Sequence, residues 1–173
     1  MQRISNRPTS KSEPRDVENL GEHIWVFKNF FKEKYIDDLI ETFEEHDERG
    51  LTLPRSAYDT QDISRKKDEA IFLKHLPASM FSQGDIIDVL ENEVTEHFEE
   101  EYPIIKDVYK GLFVSGAKLQ KTRPSGGYHI WHSEHNTDPS SNRTLLAWGL
   151  FLNTFEEGDG GELEFLYQSK RLK

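Results

Sequence analysis

The first third of the chain shows one clear helical repeat of nonpolar residues. Four of them recur at the i, i+3, i+4, i+7 spacing that lines one face of an α-helix: Ile36, Leu39, Ile40 and Phe43. We expect this amphipathic helix to end near Gly50. The nonpolar run at 23–27 predicts a β-strand. The folded part therefore opens with a strand that leads into a helix.

A second helix is predicted from Asp85, and Pro103 ends it. Its nonpolar residues share one face: Ile87, Leu90, Val94 and Phe98. Its acidic residues lie on the other face, as is usual for a solvated surface, and we assign them no chemistry. Residues 50–84, between the two helices, show no clean period. We interpret them as a long excursion with one short helix or strand around 70–76.

After the second helix the pattern changes to that of strands. Strands are predicted at 112–114, 117–122, 128–134, 144–153 and 162–167. The segment 144–153 is nonpolar on both faces, as expected of a strand that is buried on two sides. Helices first and antiparallel strands afterwards indicate an α+β fold that ends in a sandwich or barrel.

Length and composition narrow the function classes. A chain of 173 residues predicts one domain, which we place at 20–173 after a polar, disordered tail at 1–19. The net charge of −10 argues against nucleic acid as a partner, and no segment is nonpolar enough to predict a membrane span. The absence of cysteine removes thiolate chemistry and predicts a reducing compartment, most simply the cytoplasm.

The candidate chemistry lies in the predicted strand 128–134. His132 and Glu134 are two residues apart, so in an extended strand both side chains leave the same face. They are two thirds of the two-histidine, one-carboxylate site that suits Fe(II). With seven histidines and 32 acidic residues, roughly one such match is expected by chance. Two further matches, at His46 and His97, fall in predicted helices, where a two-residue step turns the side chains about 200° apart.

Two other interpretations of these residues stay open. His132 can be a hydrogen-bonded strand histidine without chemistry, since histidine is often only partly buried. A zinc site that uses His129, His132 and His135 is a poorer interpretation, because His129 and His132 face opposite sides of a strand.

A longer stretch resembles a known family. Residues 119–166 resemble the catalytic core of the 2-oxoglutarate- and Fe(II)-dependent dioxygenases, in the prolyl 4-hydroxylase-like branch. The matching pieces are Leu119-Gln120, Gly127-Tyr128, His132-Ser133-Glu134, Arg143 before Phe151-Leu152-Asn153, and Gly160-Gly161-Glu162-Leu163-Glu164-Phe165. The resemblance implies N-terminal helices packed on a double-stranded β-helix, or jelly-roll, core.

The resemblance also implies ligands and site residues. His132 and Glu134 would hold Fe(II), with 2-oxoglutarate and O2 as co-substrates and ascorbate as reductant. Lys121, Thr122 and Tyr128 are candidates for contacting 2-oxoglutarate, and Arg143 would shape the site or serve as a structural ion-pair residue. The hydroxylated substrate is not identified by the matched residues, although the branch name suggests a peptidyl proline. Glu134 stands where most of the family has Asp, and Phe151 where many relatives have Tyr.

The largest departure from the family is at the C-terminal end. Relatives continue to a second metal histidine and to a basic residue that pairs with 2-oxoglutarate, and neither is matched here. We therefore expect a truncated dioxygenase that lacks its last core strands. A non-catalytic β-sandwich interaction module derived from that fold is the alternative. A third hypothesis is a complete small enzyme that recruits His129, His135 or a helix histidine as the third ligand.

Overall fold

A computed structural model describes residues 16–57, 65–76, 83–109, 111–135, 137, 142–156 and 158–172, with the backbone alone at 83–85. Contacts divide the chain into two compact units. Unit 1 is formed by Met1–Leu53 and Glu69–Lys121, and unit 2 by Pro54–Asp68 and Thr122–Lys173. The prediction of a single domain over 20–173 stays a prediction.

The described elements are short helices and small antiparallel sheets. In chain order they are β1 (Asp16–Gly21), β2 (Ile24–Lys28), α1 (Glu33–Glu48), β3 (Leu53–Pro54), β4 (Lys66–Lys67), β5 (Glu69–Phe72), α2 (Gln83–Val89), α3 (Thr95–Glu101), α4 (Ile104–Val108), β6 (Lys118–Lys121), β7 (Gly127–Tyr128), β8 (Leu163–Phe165) and β9 (Lys170–Leu172). This mixture confirms the α+β class in its coarse form. The described residues form no closed barrel, so a jelly-roll core is not shown.

Unit 1 opens with a hairpin in place of part of the predicted tail. β1 pairs with the nonpolar strand β2 in antiparallel register, and Lys28 reaches Glu18 across the pair at 2.6 Å. The prediction of a tail at 1–19 was therefore wrong for residues 16–19, and residues 1–15 lie outside the described part. The polar sequence of β1 hid this strand, because pairing with β2 holds it in place and its own burial contributes little.

The helices of unit 1 follow the predicted nonpolar faces. In α1, Tyr35, Leu39 and Phe43 are buried. The helix ends at Glu48, and Gly50 follows in the left-handed conformation at φ +67°. α2 continues through a π-helical segment, Leu90–Val94, into α3, which ends before Pro103. Trp25 of β2 packs edge-on against Phe98 at 5.8 Å between ring centroids. Both helices are confirmed, but the buried face of the second begins with Ile86 and Val89, and the predicted Ile87 is half-buried.

β5 and β6 complete the packing of unit 1. They pair in antiparallel register, and Ala70, Ile71 and Leu119 are buried. The expected short element at 70–76 is confirmed as β5 and a 3-10 turn, Leu73–His75. The remaining parts of the excursion, 58–64 and 77–82, lie outside the described residues.

Unit 2 has much less regular structure than the sequence predicted. Its described strands are β4 paired with β7 and β8 paired with β9. The predicted strand 128–134 ends at Tyr128, and no described strand forms at 112–114 (in unit 1) or 144–153. Leu145, Trp148 and Phe151 are exposed, which contradicts the prediction of a strand buried on two sides. A nonpolar pattern forms a strand only where a partner satisfies its backbone, and none pairs with these segments in the described part.

The buried nonpolar side chains of the described residues all belong to unit 1. In unit 2 the buried side chains are those of Arg55 and Asp68. Burial of nonpolar surface is the main driving force of folding. Unit 1 therefore contains the stabilising core, and the described part of unit 2 is held by backbone pairing and charge. None of the described helices has the length and nonpolar character needed to cross a membrane.

Candidate metal centre

The strand pair of β4 and β7 positions the candidate residues. Lys66 lies opposite Tyr128 and Lys67 opposite Gly127 in antiparallel register. The amide of His129 extends the pair by donating a 2.7 Å hydrogen bond to the carbonyl of Arg65. These bonds fix the chain up to residue 129, directly before the His132–Glu134 pair.

Gly126 allows the turn before β7 to pack tightly. A Cβ atom at this position would lie 2.8 Å from the carbonyl oxygens of Arg123 and Lys67, closer than real Cβ atoms approach. The glycine therefore permits two backbone segments to meet where a side chain would separate them. The turn and β4 fix the point at which β7 begins.

His132 and Glu134 converge as the sequence predicted. The imidazole Nε2 lies 3.1 Å from Glu134 Oε1. The backbone is irregular here, but the two-residue step still brings the side chains together. About a third of the His132 side chain and 62% of the Glu134 side chain are exposed. The pair is open to solvent and accessible to an ion.

Both ring nitrogens of His132 face oxygen acceptors. Its Nδ1 lies 3.3 Å from the carbonyl oxygen of Ile130, and its Nε2 faces a carboxylate oxygen. Both of these oxygens are acceptors, and a neutral imidazole has one N–H to donate. The contact of Nε2 with Glu134 has an ordinary hydrogen-bond length, and the contact of Nδ1 with Ile130 is longer. Metal-binding histidines commonly donate their other N–H to a backbone carbonyl in this way.

The separation of the two ligand atoms fits shared coordination. Two ligands at ~2.1 Å from one ion and about 90° apart, as in octahedral geometry, are roughly 3.0 Å from each other, against roughly 3.4 Å in a tetrahedral site. The observed 3.1 Å is an ordinary hydrogen-bond distance and lies within the range of both geometries.

Tyr128 packs directly against the imidazole. Its ring is stacked on that of His132, with centroids 3.8 Å apart and planes inclined by 26°. The Lys66 ammonium lies over the same tyrosine ring, 4.4 Å from its centroid. Tyr128, which we predicted to contact 2-oxoglutarate, therefore lies beside the His132–Glu134 pair.

The buried carboxylate of Asp68 lies near Lys66. Asp68 Oδ2 lies 3.8 Å from Lys66 Nζ and 4.0 Å from Arg55 Nη1, and the Asp68 side chain is 1% exposed. The amide of Arg55 donates to the carbonyl of Asp68 at 3.0 Å. Two cations around one buried carboxylate compensate the loss of its hydration.

The other predicted site residues are placed differently. Lys121 belongs to unit 1, where its ammonium contacts both carboxylate oxygens of Glu44 at 2.6 and 2.7 Å. Thr122 and Arg143 are exposed, and none of the interactions among the described residues brings Arg143 to the pair. The predictions that these three residues contact the co-substrate or shape the site stay predictions.

The alternative third ligands do not join the pair. The His129 ring folds back over Gly127, where an added Cβ would lie 2.8 Å from its Cε1. His135 is exposed, and its amide donates to Ser133 Oγ. Within the described ranges, no three His, Cys, Asp or Glu side chains gather around one point.

The two other His-x-acid matches lie in helices, as predicted. His46 is buried in α1, with Nδ1 2.8 Å from the carbonyl of Thr42. His97 of α3 packs edge-on against Trp25 and Phe27. Both act as packing residues, and the choice of His132 as the metal ligand stays a prediction.

Sequence reasoning missed the contribution of Lys66, Asp68 and Arg55. The charged run 65–69 has no period, and its place beside Tyr128 depends on pairing with a strand about 60 residues further along. A single sequence carries no direct signal for such a pairing.

Comparison of the chain with protein-family models, with curated proteins and with solved structures finds no match. The dioxygenase interpretation therefore rests on the motif residues and on the geometry of the His132–Glu134 pair.

Proposed function

We propose that the chain is built for Fe(II)- and 2-oxoglutarate-dependent oxygenation, with His132 and Glu134 as two of the three protein ligands. The observation that carries this proposal is the 3.1 Å approach of His132 Nε2 to Glu134 Oε1, with Nδ1 turned to a backbone carbonyl. A hard carboxylate and an imidazole in neighbouring coordination positions are the donor set that suits non-haem Fe(II).

The overall reaction would consume one 2-oxoglutarate, one O2 and one substrate C–H bond. It would release succinate and CO2 and leave a C–OH group on the substrate. Bound iron supplies the activation of O2, while ascorbate restores the reduced metal. Glu134 contributes a negative charge that stabilises a divalent ion, and Tyr128 limits the orientations of the His132 ring. The substrate class, with peptidyl proline as a candidate, follows from the resemblance alone.

The fold proposed for this chemistry is a jelly-roll core, to which unit 2 contributes. Two antiparallel strand pairs, β4–β7 and β8–β9, and a metal pair that directly follows β7 support it. The cytoplasm is the proposed compartment, since the chain has no cysteine.

Succinate formation tests the proposal. The 173-residue chain is incubated with Fe(II), ascorbate, O2 and 2-oxoglutarate, and imidazole is added because the described residues provide two ligands. Without imidazole we expect no turnover, because the second metal histidine of the family is not matched. With imidazole we expect succinate release above that of Fe(II) alone, lost in His132→Ala and Glu134→Ala. His135→Ala is the matched control, an exposed histidine outside the pair, and should keep the activity. Equal release by all four proteins would overturn the proposal.

A non-catalytic interaction module is the second candidate. It is favoured by the exposed nonpolar side chains of unit 2: Trp131, Phe151, Leu166 and Tyr167. Exposed nonpolar surface commonly marks a binding site. For such a module, His132→Ala would leave partner binding intact, and metal would bind no better to the wild type than to the variant.

A further inference from the structure

The His132 ring has few contacts of its own that could fix its orientation. Its side chain is 36% exposed, and among the described residues it contacts the Ile130 carbonyl, Glu134 and the Tyr128 ring. The 3.3 Å contact to Ile130 is long for a hydrogen bond. The stacking on Tyr128 therefore limits rotation of the imidazole, together with the contact to Glu134.

Tyr128 is in turn held by Lys66. The two residues are opposite each other in the β4–β7 register, and the ammonium lies 4.4 Å from the ring centroid. The Lys66 side chain is 15% exposed. A cation over an aromatic ring is attracted more strongly when water is partly excluded, as it is here.

The Asp68 carboxylate also lies near the ammonium, at 3.8 Å. Contacts thus run without a break from the buried Asp68 carboxylate through Lys66 and Tyr128 to the imidazole. All of these residues lie in unit 2.

We propose that Lys66 is a positioning residue for the metal pair, which acts through Tyr128 to hold the His132 imidazole facing Glu134. Its importance for metal binding rests on the proposed function. Its effect on ring orientation does not, because the stack exists without metal. Outer partners of metal ligands commonly change metal affinity by 10–100-fold. Lys66 contacts Tyr128 and not the metal ligand itself, so we expect a smaller, roughly 5-fold effect on the metal affinity.

The test compares three substitutions in the full chain. Lys66→Met keeps the length and removes the charge, and Lys66→Arg keeps a cation that can lie over the ring. Lys67→Met is the matched control, because Lys67 is the next residue of the same strand and is exposed. The exchange rate of the His129 amide, which donates to Arg65, is compared with that of wild type, and an unchanged rate reports that the strand pair stays folded.

The first readout is the NMR shift of the His132 ring protons in metal-free protein, which stacking on Tyr128 moves upfield. We expect this upfield shift to shrink in Lys66→Met and in Tyr128→Leu, and to persist in Lys66→Arg and Lys67→Met. An unchanged shift in Lys66→Met, with the strand pair intact, would overturn the positioning role.

The second readout is the affinity for Mn²⁺, measured from paramagnetic broadening of the same protons. Lys66→Met should bind about 5-fold more weakly than wild type, and Lys66→Arg should recover most of the loss. If the wild type shows no broadening at all, the proposed function fails, and the ring shifts still decide the role of Lys66. Equal Mn²⁺ affinity in wild type and Lys66→Met would overturn the effect on the metal pair.

Discussion

The turn before β7 offers the sharpest structural prediction. In Gly126→Ala, the added methyl group would lie 2.8 Å from two backbone oxygens, those of Arg123 and Lys67. Ordinary contact begins at 3.4 Å, so each oxygen would have to recede by about 0.6 Å. Neither atom belongs to a flexible side chain. Relief therefore requires β4 and the turn to separate.

The expected penalty follows from measured overpacking. Inserting a group into a tightly packed position typically costs about 1–3 kcal/mol. The separation strains the pairing of Lys67 with Gly127 and the bond from the His129 amide to Arg65. If the free energy of opening this strand pair falls by this amount, the His129 amide should exchange about 5- to 150-fold faster.

Native-state hydrogen exchange followed by NMR measures this directly. Gly149→Ala is the matched control, because a Cβ there meets nothing within 4 Å and its φ lies outside the left-handed region. It should leave the exchange rate of the His129 amide unchanged. It should also stabilise the protein by about 0.4–1 kcal/mol, because alanine lowers the conformational entropy of the unfolded chain. If His129 exchanges equally fast in both variants, the close packing at Gly126 does not hold β4 against β7.

Three further predictions concern stability. Leu39→Ala removes a fully buried side chain of α1 and should destabilise the protein by about 2–5 kcal/mol in urea unfolding; a loss below 1 kcal/mol would contradict the assigned core. Amides at 144–153, where Leu145, Trp148 and Phe151 are exposed, should exchange orders of magnitude faster than those of α1, and equal protection would refute a core confined to unit 1. The hydrogen bond and charge of Glu18 raise the pKa of Lys28 above its ordinary 10.5. The stability that this pair contributes is therefore present below pH 10.5 and is lost as the pH rises through the raised pKa. Glu18→Gln should return the pKa of Lys28 toward 10.5 in an NMR titration, and an unchanged pKa would exclude Glu18 as the cause.

Local patterns predicted the helices well. The spacing of Leu39 and Phe43 places both on one face, and that face is the buried one. The nonpolar run at 23–27 likewise forms β2. In these elements the residues that fold together are neighbours in sequence, so a periodic pattern carries the needed information.

Predictions that depend on a distant partner were less successful. β1 is polar and forms because β2 is beside it. The segment 144–153 has the pattern of a buried strand, but among the described residues no strand pairs with it. Pairing, more than nonpolar character, decides whether a segment becomes a strand.

The candidate site likewise has one part that follows from local sequence and one that depends on long-range pairing. Two side chains two residues apart, His132 and Glu134, could be placed together from local geometry alone, and they do converge. Lys66 could not be anticipated, because its contact with Tyr128 requires the register of β4 on β7. The long-range half of the site is visible only in the structure.

One measurement tests most directly whether His132 and Glu134 share a divalent ion. Mn²⁺, which accepts nitrogen and carboxylate ligands, is added in substoichiometric amounts to the full chain, and NMR signals of all seven histidines are followed. Selective broadening of His132 and Glu134 in wild type, abolished by Glu134→Gln, is the expected result. Broadening of other histidines in preference to His132, or broadening of His132 that persists in Glu134→Gln, would contradict the account.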